Sequence, residues 1–183
     1  FKDLREAYAE GRISFKDIAV YSIDEYYPVT RNAQQSRNYK MHHELLDEVD
    51  ILPENIHIAD GTVPENKVSD YCAEAEANLR DLDLLVMGIG EHGQIGFNEA
   101  GSHNTSKTRL VLLPYKSRRR QAHNFNGDIA ATPSKAITMG VSTMLSAKKV
   151  MLMAWGEDKA DMVQQIVELK NTPEYPASFF QKH

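Results

Sequence analysis

The chain has almost no cysteine: only Cys72 occurs among its 183 residues. An internal disulfide is therefore ruled out, and a lone thiol suits a reducing compartment. A cationic surplus is lacking as well. Lys and Arg number 21 against 26 Asp and Glu, for a formal net charge of −5, which argues against nucleic acid or an anionic membrane as the main partner. No apolar run approaches the ~18 residues of a membrane span, and no secretory pattern precedes the first charges. The expected setting is the cytoplasm. Internal repeats, low-complexity tracts and interdomain linkers are missing too, so one domain over residues 1–183 is the reading for this length. What is there is an ordinary globular composition, 42% hydrophobic and 26% charged, sufficient for a core of its own.

Apolar runs and helical stripes alternate along the chain. Leu4, Ala7 and Tyr8 share one face of a helix ending near Gly11. Residues 18–23 read as a buried strand, with Asp24 and Glu25 where it stops. Met41, Leu45, Leu46 and Val49 fall at helical spacing, and residues 55–59 form a second short strand. Thr62-Val-Pro-Glu65 has the form of a capping box with proline in the first turn. Behind it, Val68, Tyr71, Cys72, Ala75 and Leu79 make an apolar stripe, which marks Cys72 as core filling rather than a nucleophile. Residues 83–88, 108–113, 136–139 and 149–155 are further strands, and a helix carrying Met162, Val163, Ile166, Val167 and Leu169 follows Gly156. Strands alternating with helices predict an α/β fold with a mostly parallel sheet covered on both faces. The chain opens at Phe1 inside a helix-like pattern and closes on an irregular tail, residues 173–183, so it reads as truncated at both ends.

The densest signal is Leu84-Leu-Val-Met-Gly-Ile-Gly-Glu-His-Gly-Gln-Ile-Gly-Phe-Asn-Glu-Ala-Gly-Ser102. Its apolar start predicts a strand buried on both faces, and ligands in α/β sheets bind just past such strand ends. Gly88, Gly90 and Gly93 match G-x-G-x-x-G, so dinucleotide binding is one reading. That fingerprint wants a helix at the loop and an acid about 20 residues on. Here Asn98, Gly101 and Ser102 keep the segment irregular, and the next strand opens on Thr108 and Arg109. A tight turn without a ligand is the bland alternative.

Asp24 and Glu99 each follow an expected core strand. If those strands are neighbours, the two acids line one crevice, where a carboxylate can act as general base on a carbon-bound proton. Loop capping is the plainer role for such residues. His42 and His43 point to different sides of a helix and make no two-ligand face. The chain shows no zinc spacing, so no metal is expected. His92 and His103 flank the glycine loop. Lys159, in the first turn of the last long helix, is placed to neutralise an anion or simply to reach solvent. Arg118-Arg119-Arg120 reads as a solvated face, with a phosphate or subunit contact as the alternative.

Gly88-Ile-Gly-x-x-Gly-x-Ile-x-Phe-Asn-Glu99 after Asp83-Leu-Leu-Val-Met resembles the signature of the glucosamine-6-phosphate deaminases (isomerases). Ile23-Asp-Glu-Tyr26, Glu54-Asn-Ile56, Thr108-Arg109, Ala136-Ile-Thr-Met-Gly-Val-x-Thr143, Gly156-x-x-Lys159 and Ala177-Ser-Phe-Phe-Gln-Lys-His183 line up with that family in order. The resemblance covers nearly the whole chain. It implies a three-layer α/β/α Rossmann-like fold and conversion of an amino-sugar phosphate to a keto-sugar phosphate with loss of ammonia. It implies Asp24 as the base between C1 and C2, Glu99 in ring opening and Lys159 on the phosphate. The glycine-loop positions Gly88, Gly90, Gly93, Gln94 and Asn98 are the expected substrate contacts. No redox cofactor is implied; the partner is a sugar phosphate, and a homo-oligomer is the family's habit.

The family's Asp-Gly-His is His92-Gly93-Gln94 in this chain, and an amide cannot shuttle a proton as an imidazole can. Either His92 takes over ring opening, or that step is left to water, or the substrate differs. His123 stands where the family has a phosphate-binding arginine, and the family's phosphate loop would precede Phe1. The 183-residue chain alone is therefore expected to be inactive. A non-catalytic sugar-phosphate sensor and a 6-phosphogluconolactonase-type hydrolase are the alternatives.

Overall fold

In chain order the elements are α1 (Lys2–Ala9), β1 (Val20–Tyr21), β2 (Asp24–Tyr27), α2 (Arg37–Glu44), β3 (Ile56–His57), α3 (Val68–Ala77), β4 (Leu85–Gly88), β5 (Arg109–Leu112), α4 (Tyr115–Gln121), β6 (Lys135–Thr138), α5 (Val141–Met144), β7 (Val150–Met153) and α6 (Ala160–Glu168), joined by short 3-10 turns. The computed structural model describes residues 1–79 and 81–183. They fall into two units: Phe1–Val63 with Leu112–Ile137, and Pro64–Val111 with Thr138–His183.

In the first unit β1 pairs with β3 in parallel, Val20 opposite Ile56 and Tyr21 opposite His57, and β2 lies beside β6. Phe15, Leu45, Leu46 and Ile51 form its buried cluster, with Tyr8, Val20, Met41 and Ile56 packed against it. In the second unit β4 and β7 run parallel, from Leu85 opposite Val150 to Gly88 opposite Met153. Parallel pairs joined through helices make a mixed α/β fold, as the alternation in the sequence predicts.

Several local expectations are corrected. Residues 18–23 do not form one buried strand: only Val20 and Tyr21 are extended, and Ile18 is exposed. The buried strand is β2 itself, in which Glu25, Tyr26 and Tyr27 are all buried. Asp24 therefore opens a strand instead of following one. The run before the glycine loop is not buried on both faces. Leu85 and Met87 are inside while Leu84 and Val86 are 52% and 43% exposed, the alternation of a strand covered on one side. In the apolar stripe of α3, Val68 and Cys72 are buried but Ala75 is exposed.

The capping box does not form. Thr62 donates both its N–H (2.8 Å) and its hydroxyl (2.6 Å) to Asp60 Oδ1, and α3 starts at Val68 without a side-chain cap. A nearer acceptor won over the motif. The closing residues are not an irregular tail either: Pro176–Lys182 is a 3-10 helix with Pro176, Ala177 and Ser178 buried.

Glu76 ties the second unit together. Its Oε1 accepts the Thr108 N–H at 2.8 Å and the hydroxyls of Thr108 and Thr143 at 2.5 Å each, joining α3 to β5 and α5. Burial works to raise its pKa, but these hydrogen bonds, with Lys107 nearby, hold it below the ordinary carboxylate value. A carboxyl depressed in the folded state stabilises above its unfolded pKa, and that contribution disappears as pH falls through the folded value. Thermal melts from pH 7 downward are thus expected to show a loss of Tm below about pH 4.5 that is shallower in Glu76→Gln. Identical acid slopes in the two proteins would remove this role.

Candidate functional site

Asp24 sits at the start of β2 with its carboxylate largely covered. Arg37 Nε, from the first position of α2, donates to Asp24 Oδ1 at 2.7 Å. Asp24 Oδ2 has no hydrogen-bond partner among the described residues. The guanidinium lies over the Tyr26 ring, 5.0 Å from its centroid. Burial works against the Arg37 charge, yet Asp24, Tyr26 and Glu25 outweigh it and hold its pKa above the ordinary arginine range. Tyr26, raised above the usual tyrosine value chiefly by burial, donates its hydroxyl to Gln121 Oε1 at 2.8 Å.

Glu25, marked in the sequence only as an acid at a strand end, is 1% exposed. Its carboxylate accepts the Ser36 hydroxyl (2.7 Å) and the N–H groups of Tyr26 (2.8 Å), Arg37 (3.0 Å) and Asn38 (3.1 Å). Ser36 is the N-cap of α2 and accepts from the Tyr39 N–H. A carboxylate at a helix N-terminus satisfies free N–H groups and suits the helix dipole. Arg37 had no signal of its own. Ser36, a good N-cap residue, is the one mark that could have set it at the start of a helix.

The glycine loop of the second unit is closed on itself. Gly90 N–H donates to Gln94 O at 2.9 Å and Gly93 N–H to Gly90 O at 3.1 Å. The Gln94 side chain is buried, folds across Gly90, where a Cβ would collide with its amide, and accepts the His92 N–H at 2.9 Å. Asn98 is fully buried. Its Nδ2 donates to Ile95 O (3.1 Å) and Met139 O (2.8 Å), and its Oδ1 accepts from Arg109 Nη1 at 3.0 Å. Gly90, Gly93, Gln94 and Asn98 are the expected substrate contacts, and their polar groups also build the loop. Gly88, ending β4, has open space around it, with only Met153 O 3.9 Å from an added Cβ.

The 3-10 helix at the chain's end locks this loop. Ala177 N–H donates to Gly93 O at 2.9 Å, and Gly101 N–H to Pro173 O at 2.8 Å. Gly93 has φ +69°, and a Cβ there would stand 3.0 Å from Tyr175 Cβ and 3.1 Å from Met162 Sδ. Gly93→Ala is expected to cost about 1–2 kcal/mol, a drop of roughly 2–8 °C in Tm by circular dichroism. An unchanged Tm would mean the contact carries no stability.

Glu99 follows on this rigid frame, half-buried, its N–H on Phe97 O at 3.1 Å and its carbonyl accepting the Ser102 N–H at 3.0 Å. His92 is half-buried, and its Nε2 is buried with no hydrogen-bond partner among the described residues. His103 is exposed. Lys159 precedes α6, its ammonium on Asp158 Oδ2 at 2.7 Å, beside an open groove lined by Gly156, Ala160, Val163 and Gln164. In the basic run, Arg118 donates to the carbonyls of Thr132 (3.2 Å) and Ile129 (2.8 Å) and is structural rather than a solvated face. Among the described residues no group of three or more His, Cys, Asp or Glu could hold a metal ion, and no helix is long and apolar enough to cross a membrane.

Residues 1–183 match the family described as glucosamine-6-phosphate isomerases/6-phosphogluconolactonase. A glucosamine-6-phosphate deaminase-like protein of Bacteroides thetaiotaomicron is 41% identical over 186 residues, covering all of this chain but 28% of that protein. Glucosamine-6-phosphate deaminase 2 of Bacillus subtilis is 36% identical over 187 residues, covering all of this chain and 74% of the relative. The solved structure of a monomeric glucosamine-6-phosphate deaminase superposes with a TM-score of 0.91 at 30% identity, over all of this chain and 76% of that one. The 6-phosphogluconolactonase of Thermotoga maritima, at TM-score 0.70 and 20% identity over 96% of this chain and 74% of its own, shares the fold alone. The chain thus spans a little over a quarter of the first relative and about three quarters of the second.

Proposed function

Because this chain belongs to the family of glucosamine-6-phosphate isomerases and 6-phosphogluconolactonases, we propose that it serves amino-sugar catabolism, converting glucosamine 6-phosphate and water to fructose 6-phosphate and ammonia. The supporting observation is the Asp24 carboxylate, anchored at one oxygen by Arg37 and unbonded at the other. Once the sugar ring is open, a base must take the C2 proton and return it at C1; water then adds to the C2 imine and ammonia leaves. A positioned carboxylate suits that transfer. The oxidation of C2 and the reduction of C1 balance within the substrate, so the scheme needs no redox cofactor.

Glu99 and His92 are assigned to ring opening. The buried Nε2 of His92 has no partner among the described residues, so in the Nδ1–H tautomer it offers a lone pair for a proton, a role the Gln94 amide does not fill. Lys159 is assigned to the phosphate and Gly88 to the backbone approach of the sugar. Lys159 alone is a weak phosphate holder, and the relatives are longer than this chain, so the test uses the intact protein; the 183 residues alone are expected to release no ammonia. Ammonia release from glucosamine 6-phosphate supports the reading, and its absence removes it. Gln94, locked inside the loop, favours the second reading, a sugar-phosphate sensor. Saturable binding in calorimetry without turnover selects that one, and ester hydrolysis would select a lactonase. The proposed setting is the cytoplasm. A homo-oligomer, the assembly proposed here, would be read by light scattering.

A further inference from the structure

Resting on the reading of Asp24 as the base, we propose that Arg37 is the positioning residue that turns this carboxylate for proton transfer. The torsion that rotates an aspartate carboxylate is broad, so an unanchored Asp24 would present either oxygen in many orientations. Arg37 Nε on Oδ1 at 2.7 Å removes that freedom and leaves Oδ2 as the proton acceptor. Arg37 is itself held in place. Its backbone N–H donates to buried Glu25, its guanidinium carbon stands 5.0 Å from the centroid of the Tyr26 ring, and that ring is tied through its hydroxyl to Gln121.

The charged groups around it leave Arg37 as the cation paired with Asp24. From β2 come Asp24, Glu25 and Tyr26; from α2 comes Lys40, which itself faces Glu44. The Lys40 ammonium instead meets Asn124 Oδ1 at 2.8 Å, in the 3-10 turn after α4, a turn that also carries His123. Glu25 is engaged by Ser36 and three N–H groups. A planar guanidinium can stack and donate at once, which an ammonium cannot. Arg37 is therefore not interchangeable with lysine here.

The test is steady-state kinetics on the intact protein. Arg37→Met is expected to lower kcat by about 10- to 100-fold, the scale of a misplaced reacting group, with KM within about threefold of the original. Deuterium at C2 of the substrate is expected to slow the variant by a larger factor than the parent, because proton transfer has become limiting. Arg37→Lys, which keeps the charge and the fold, is expected to fall between the two. Added to Asp24→Asn, Arg37→Met should cost nothing further, since two residues acting through one step are not additive.

An unchanged kcat and isotope effect in Arg37→Met overturns the inference, as does a rise in KM alone. Should Arg37→Met fail to fold, parental kcat in Arg37→Lys overturns it instead. These outcomes are separable from failure of the base assignment. An active Asp24→Asn removes that assignment; an inactive Asp24→Asn beside a fully active Arg37→Met rejects the role of Arg37 alone.

Discussion

Asp24→Asn is expected to reduce ammonia release from glucosamine 6-phosphate by about 100- to 10,000-fold, the range over which a positioned general base acts. Asparagine keeps the size of the side chain and an oxygen for the Arg37 Nε–H, so the local geometry survives. Its amide cannot accept the C2 proton. The lost ion pair is partly open to solvent, with side chains 27% and 12% exposed, so the cost in stability is about 1 kcal/mol after screening, a shift of roughly 2–4 °C in Tm. KM should stay within a fewfold of its original value, because the substitution removes an interaction used in the transition state rather than in binding. Exchange of the C2 hydrogen with deuterated water separates the base from later steps, and the variant should lose exchange and ammonia release together. Retained exchange would place the base elsewhere.

How much of this was legible in the sequence depends on how far each determinant lies along the chain. β4 to β7 announce themselves by local apolar runs, and the glycine loop by its spacing. The same signal misjudged burial at Leu84 and Val86, because a run of apolar residues looks alike whether one face or two are covered. β2 was hidden for the opposite reason. Asp-Glu-Tyr-Tyr carries no apolar pattern, and Glu25 can enter the interior only because Ser36 and two helix N–H groups, far along the chain, satisfy it.

The candidate site divides in the same way. Asp24, Glu99 and Lys159 stood out by place: Asp24 at the head of β2, Glu99 in the loop beyond β4 and Lys159 just before α6. Which glycine-loop residues face inward did not, since Gln94 over Gly90 and Asn98 on Met139 are decided by closure of the loop and by β6. The ordered end of the chain left no periodicity to read. Its small buried residues, Ala177 and Ser178, reveal themselves only against Gly93 and Thr172.

Glu25→Ala is expected to have the largest effect on stability, about 3–4 kcal/mol. The deletion strands the Ser36 hydroxyl and the Arg37 and Asn38 N–H groups around a buried gap, and each unsatisfied buried donor costs about 1–3 kcal/mol. Partial rescue by water keeps the total below the sum. For a chain of this length that corresponds to a fall of roughly 6–16 °C in Tm. Glu25→Gln keeps the volume and one acceptor oxygen but turns an N–H₂ group toward donors, so it should lose about half as much. Ser36→Ala removes only the cap, about 1 kcal/mol.

The order Ala, Gln, Ser36→Ala in thermal melts is what distinguishes a satisfied buried carboxylate from mere filling of space, for which Gln would be harmless. Because the same carboxylate holds the Arg37 N–H, loosening it should also free the guanidinium beside Asp24. Glu25→Gln, assayed at a temperature where it remains folded, is then expected to lose kcat in the same sense as Arg37→Met. A stable, fully active Glu25→Gln would separate the helix cap from the chemistry.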